Sequence, residues 1–253
     1  LVRYRQSETA RQIAEASIDA ILDHWDPEIG WDQRLADQHK LIVDDSTFAV
    51  GLGRALGPLV KYYRTTGYGS ALQLATLLKE KALTECFPPD GTYNREVLGN
   101  HTHSTTCLMS SLAQYADLTR DSGIMNRVRS FYDKGLWQIR DEIGWVIENS
   151  REDADPDLGE INNTGDIVET ALILGTWGQD KYYQDAERIL RGHFLPSQLR
   201  DVSFISEPPN PNNDDGLNDI ANRHLGAFGF PAPYGHKTLD GVRVSFNMDI
   251  VGG

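Results

Sequence analysis

Acids, imidazoles and amides gather at three points of the chain, each just ahead of a helical apolar stripe. These are Asp44-Asp45-Ser46-Thr47, His101-Thr102-His103-Ser104-Thr105, and Glu160-Ile161-Asn162-Asn163-Thr164-Gly165-Asp166-Ile167-Val168-Glu169. Carboxylates and imidazoles that converge on one cavity are the parts of general acid–base catalysis, so Asp45, Glu160, Asp166 and Glu169 are the candidate catalytic residues. The same positions suit helix starts. Asp45 or Ser46, Ser104 and Asp166 are good N-cap residues, and Asp166 with Glu169 three positions on has the spacing of a capping box. Capping and catalysis both stay open at these sites. Glu169 lies beside Val168 and Leu172, where a carboxylate needs a partner or takes a raised pKa.

His101 and His103 are two apart, so an extended segment would carry both rings on one side. Cys107 reads as a small buried hydrophobe, and no cysteine cluster accompanies the pair. The histidines are therefore assigned to substrate contact or structural hydrogen bonding, with no metal and no other cofactor expected. Aromatics crowd the same loops: Trp25, Trp31, Tyr93, Trp145, Phe228, Phe230 and Tyr234. Sugar rings stack their C–H faces on flat aromatic rings while their hydroxyls seek carboxylates and amides. Asn162, Asn163, Trp145, Tyr93, Tyr234 and His236 thus join His101 and His103 as candidate substrate-binding residues. Trp137 and Trp177 read instead as packing between helices.

The elements that must position these groups are helices. Phe48, Leu52, Leu56, Leu59 and Tyr63 recur three or four apart, as do Leu108, Leu112 and Tyr115, and Ile167, Ala171, Leu174 and Trp177. That spacing lines one helical face. Partner stripes run through Leu74 to Ala82, Val128 to Ile139, and Tyr183 to Phe194, and an opening helix spans about Ser7 to Trp25. Gly67, Gly123 and Gly178 fall where one helix ends and the next begins, as left-handed C-caps should. The repeat of helix, glycine turn, helix and long loop predicts an all-α fold, an (α/α) toroid of helical hairpins in one domain, 1–253. The seven or eight legible helices fall short of a closed six-hairpin ring, so the toroid is expected to be incomplete. Its open apolar edge would invite a homodimer. Residues 228–253 read as an extended arm on the period-two alternation from Val242 to Ile250, leading into a further C-terminal part.

Composition narrows the partners. With 24 basic against 37 acidic residues the net charge is −13, which repels phosphate backbones and excludes nucleic acid as a partner. No apolar run approaches the ~20 residues that cross a bilayer, so no membrane is expected either. Two cysteines make neither a disulfide framework nor a four-thiolate zinc site.

Gly165-Asp166-Ile167-Val168-Glu169-Thr170-Ala171, followed by Tyr182-Tyr183-Gln184-Asp185-Ala186-Glu187-Arg188, resembles the β-L-arabinofuranosidase-like glycoside hydrolases and their uncharacterised relatives, as does the tail Ser245 to Gly253. The resemblance covers about the last third of the chain and implies an (α/α)6 toroid acting on carbohydrate. It departs at the metal. In that family the helix motif reads Glu-Thr-Cys and a Cys-Cys pair follows, holding zinc with the glutamate. Here Ala171 and Gly252-Gly253 stand in those places, so the zinc-bound cysteine mechanism has no thiolates, and Glu169 alone carries over.

Three functions remain open. The first is a glycoside hydrolase on a polysaccharide or oligosaccharide using paired carboxylates, retaining at a separation of about 5 Å and inverting at about 6.5–9.5 Å. The second is a uronate-directed lyase or unsaturated-glucuronyl hydrolase, with His103 or a tyrosine as base. The third is a non-catalytic carbohydrate-binding or scaffold protein. Polysaccharide enzymes work outside the cytoplasm, which points to a secreted or periplasmic setting.

Overall fold

A computed structural model describes residues 1–26, 30–31, 47–154, 158–203, 205–228, 237–238 and 241–242. Asp45, Tyr234, His236 and the tail from Ser245 lie outside them. The fold is all-α. Its helices are α1 (Val2–Arg5), α2 (Glu8–His24), α3 (Leu56–Thr66), α4 (Gly69–Lys81), α5 (Arg95–Leu98), α6 (Thr102–Thr119), α7 (Ser122–Asp133), α8 (Ile161–Thr176), α9 (Lys181–Ile189) and α10 (Ile220–His224). Among the described residues, strand is confined to two-residue antiparallel pairs, Trp25–Asp26 with Gly30–Trp31 and Lys237–Thr238 with Gly241–Val242. The second pair falls within residues 228–253.

Two compact units divide the chain, Leu1–Gln138 with Thr176–Gly178, and Ile139–Gly175 with Gln179–Gly253. In the first, α3 packs on α4 and α6, α6 on α7, and α2 on α4. Leu56, Leu59 and Val60 of α3, Leu74, Ala75 and Leu78 of α4, and Leu108, Leu112 and Ala116 of α6 are all buried in this core. Close approach of α3 and α6 depends on Gly57, where a Cβ would come within 2.6 Å of the Ser111 hydroxyl. Pro58 fits the first turn of α3, where no intrahelical N–H bond is needed. α4 ends in a π-turn, Ala82–Cys86, and Arg127 satisfies the carbonyls freed there, donating to Leu83 O at 2.7 Å and Phe87 O at 3.2 Å.

The helix ends follow the local chemistry, with one displaced turn. Ser7 caps α2 by accepting from Ala10 N, and Gly67 ends α3 in the left-handed region. Gly178 is left-handed too, at φ +90°, just past α8. Gly123, however, lies inside α7, and Arg120 takes the left-handed position after α6 at φ 57°. The reason is Asp121, whose carboxylate accepts from Ile124 N at 3.0 Å and starts α7 two residues earlier than the glycine would. Trp137 is 42% exposed and so is not the packing residue expected; Trp177 is, its indole N–H donating to Asp117 Oδ1 at 3.1 Å.

Asp117 ties α6 to its surroundings, accepting from Arg64 at 2.8 Å as well as from Trp177. Burial works against its ionisation, but the Trp177 N–H and the Arg64 guanidinium outweigh burial and hold the carboxyl below the usual range. With the folded pKa below the unfolded value of about 3.9, its contribution is complete above that value and is lost as pH falls through the folded one. Asp117→Asn should therefore lower stability at neutral pH and flatten the decline below about pH 4, read by urea unfolding at stepped pH. A second outcome concerns glycine. At Gly67 (φ +72°) a Cβ would meet nothing within 4 Å, whereas at Gly144 (φ +79°) it would stand 2.6 Å from Ile189 Cγ2. Gly67→Ala should cost about 1–2 kcal/mol for the backbone alone, and Gly144→Ala distinctly more, measured by the same unfolding curves.

Candidate functional site

In the second unit the chain enters α8 from a loop held by hydrogen bonds that the sequence spacing alone does not reveal. Asp141 Oδ1 accepts from Ile143 N at 3.0 Å and Trp145 N at 2.9 Å, and its own N–H donates to Trp145 O at 3.0 Å. Thr164, in the first turn of α8, donates its hydroxyl to Gly144 O at 2.9 Å, which fastens the helix start to that loop. Trp145 lies over Gly159, where a Cβ would meet the indole nitrogen at 2.2 Å. Arg140 anchors the loop. Its guanidinium, 1% exposed, donates to Asp185 Oδ2 at 3.0 Å, and Arg188 reaches the other oxygen of the same carboxylate. Arg188 also donates from Nε to Glu142 O at 2.9 Å.

Glu160 heads α8 and is 5% exposed, its Oε1 accepting from Asn162 Nδ2 at 2.9 Å. α8 starts at Ile161, so Asp166 and Glu169 lie well inside it and are neither N-cap nor capping box. The helix begins six residues earlier than a cap at Asp166 would allow, because Glu160 O already accepts from Asn163 N at 3.1 Å and the helix runs on unbroken to Thr176. This removes the capping explanation for both acids. Asn162, Asp166, Glu169 and Ile173 are all half-buried and, at steps of four, three and four, share one face of the helix. Buried Asn163, Ile167, Val168, Thr170 and Ala171 flank that stripe. Asn162, Asp166 and Glu169 thus form one polar line along α8, and Glu160 stands at its head, bonded to Asn162.

In the first unit, His101 is itself the N-cap of α6, and Ser104 is in the first turn rather than at the cap. The Ser104 hydroxyl pairs with His101 Nδ1 at 2.8 Å. The two imidazoles meet edge to face, 5.9 Å between centroids, through a helix start rather than the extended segment expected. Burial first, then the charge of Arg54 and then His101, push His103 down to about 3, so its ring is neutral near pH 7. A neutral imidazole suits hydrogen bonding or metal coordination, and with so low a pKa it is a poor proton acceptor. Cys107 is half-buried, not enclosed as expected, and Cys86 is the buried thiol, its pKa pushed up to about 12 by burial. His103 and Cys107 share the i, i+4 spacing of helical metal-ligand pairs. Tyr93 is half-buried with its ring 6.5 Å from that of Phe131. Arg54 and Ser104 were not legible as partners of the histidines; Arg54 is 49 positions from His103 and carries no local signal.

No family model matches the chain, and no curated protein matches it. Its hairpins place it among all-α folds. Among solved structures it is similar to the Lin0763 protein from Listeria innocua, with a TM-score of 0.52 and 14% identity, over 69% of this chain and 53% of that one. The chain therefore spans about half the length of that protein, and the likeness is one of fold.

The loop anchor makes a direct prediction. Asp185→Ala leaves the Arg140 charge buried without its main counter-charge and should cost about 3–5 kcal/mol. The double replacement Arg140→Met with Asp185→Leu should recover most of that loss in the same thermal or urea unfolding experiment.

Proposed function

We propose that the chain is a carbohydrate-active enzyme, a glycoside hydrolase on a polysaccharide or oligosaccharide that works through carboxylates of α8. The observation that carries this reading is the polar line of Asn162, Asp166 and Glu169 on α8, whose flanking positions are buried and mostly apolar, with buried Glu160 at the helix head bonded to Asn162. Carboxylates set in such a surface can differ in protonation, and glycoside hydrolysis needs one acid and one base or nucleophile. Glu160, the most enclosed, is the general acid: it would protonate the leaving glycosidic oxygen. Asp166 or Glu169, both more accessible, would act as the base on water or as the nucleophile. Asn162 holds Glu160 in place, and Trp145 supplies a flat face for a sugar ring. The zinc chemistry of the arabinofuranosidase-like enzymes has no part in this, since Ala171 replaces the helix cysteine.

The test is Glu160→Gln, which keeps an acceptor for Asn162 while removing the acidic proton. On whichever polysaccharide of a broad panel releases new reducing ends, the variant should lose about 10²–10⁴-fold in kcat with an unchanged melting temperature. Unaltered turnover in the folded variant would remove Glu160 from the mechanism.

A further inference from the structure

The glycine ahead of Glu160 is required by space rather than by backbone. Gly159 is buried and its φ lies outside the left-handed region, yet a Cβ there would stand 2.2 Å from Trp145 Nε1, 2.8 Å from Trp145 Cε2 and 2.9 Å from Val146 O. The pyrrole edge of the indole therefore fills the place of a side chain at residue 159, one position before the general acid. Local pairing puts it there. Ile147 forms an antiparallel bridge with Gly159, and Glu148 N donates to Leu158 O at 2.8 Å. Alternation along this extended segment turns Val146 inward, 1% exposed, and leaves Trp145 half-buried. We propose that Trp145, seated on Gly159, is the platform for the sugar that carries the leaving oxygen, with Gly159 as its positioning residue. This rests on the hydrolase reading above.

Position and rigidity both select that role. Glu160 protonates the oxygen that joins the two sugars, so the sugar held beside it is the departing one. Asp166 is six residues further on, about 9 Å along the helix axis at 1.5 Å per residue, and Glu169 lies beyond it. The sugar attacked at its anomeric carbon therefore lies toward Asp166 and Glu169, and the leaving sugar toward the helix head, where Trp145 is. A stacking surface fixed before the ligand arrives spares the cost of ordering it on binding. Trp145 is fixed at both backbone groups: its N–H donates to Asp141 Oδ1 at 2.9 Å, and its carbonyl accepts from Asp141 N at 3.0 Å. The substrate this arrangement selects carries sugar on both sides of the cleaved bond, in preference to a single sugar on a small leaving group.

The experiment assays the full chain on oligosaccharides cut from arabinan, xylan, mannan, galactan and dextran, and on the glycosyl fluorides of the same sugars, whose leaving group has no ring to stack. The readout is the ratio of kcat/KM on the oligosaccharide to kcat/KM on the matching fluoride. Trp145→Ala should lower that ratio by at least about tenfold. Trp145→Phe, with a smaller ring, should lower it less, and carries the same test if Trp145→Ala fails to fold by circular dichroism. Gly159→Ala should lower the ratio as well, and should lower it no further in the Trp145→Ala background, because it acts through the indole. Wild-type turnover of neither substrate would remove the hydrolase reading itself. Turnover with a ratio unmoved in the folded Trp145 variants would overturn the platform and leave that reading standing, and an additive loss in the double variant would remove Gly159 from its positioning role.

Discussion

A guanidinium taken out of water must keep a counter-charge, and the second unit is arranged around that requirement. Arg140 is buried to the last percent of its side chain and meets Asp185 of α9 at 3.0 Å. Asp185 in turn draws in Arg188, which closes onto the carbonyl of Glu142. A buried pair of this kind adds little net stability over apolar packing, but breaking it is expensive. Its effect here is positional. It fixes the segment from Arg140 to Trp145 against α9, and through Thr164 that segment fixes the first turn of α8. The carboxylates proposed to act on sugar are placed by this frame.

The same logic explains why the helix starts are chemically rich. The first backbone N–H groups of a helix need partners, and polar residues collect there for that reason alone. At α2 and α7 the collected residues, Ser7 and Asp121, do cap. At α6 and α8 they do something else. The His101 side chain pairs with Ser104 instead of capping the backbone, and Asp166 and Glu169 lie beyond the first turn.

Much of the fold was legible because period and glycine position are local. The stripes of α2, α4, α6, α7 and α8 follow from residues three and four apart, and the turns at Gly67 and Gly178 from the need for positive φ. Gly123 misled because Asp121 is the stronger signal: a capping carboxylate starts α7 and leaves the left-handed position to Arg120. Asp166 misled in the same way, since a good capping type does not cap when the helix has already begun. The Arg140–Asp185 pair joins residues 45 apart and left no trace in the local pattern.

In the proposed reaction, water activated or admitted at Glu160 and the α8 carboxylates cleaves a glycosidic bond. Digestion of the responsive polysaccharide in ¹⁸O-labelled water, with mass spectrometry of the products, tests it most directly. Hydrolysis predicts saturated fragments whose new reducing ends carry one labelled oxygen, after correction for exchange at the anomeric carbon. Unsaturated fragments with no label would mean elimination beside a uronate, and would contradict the account.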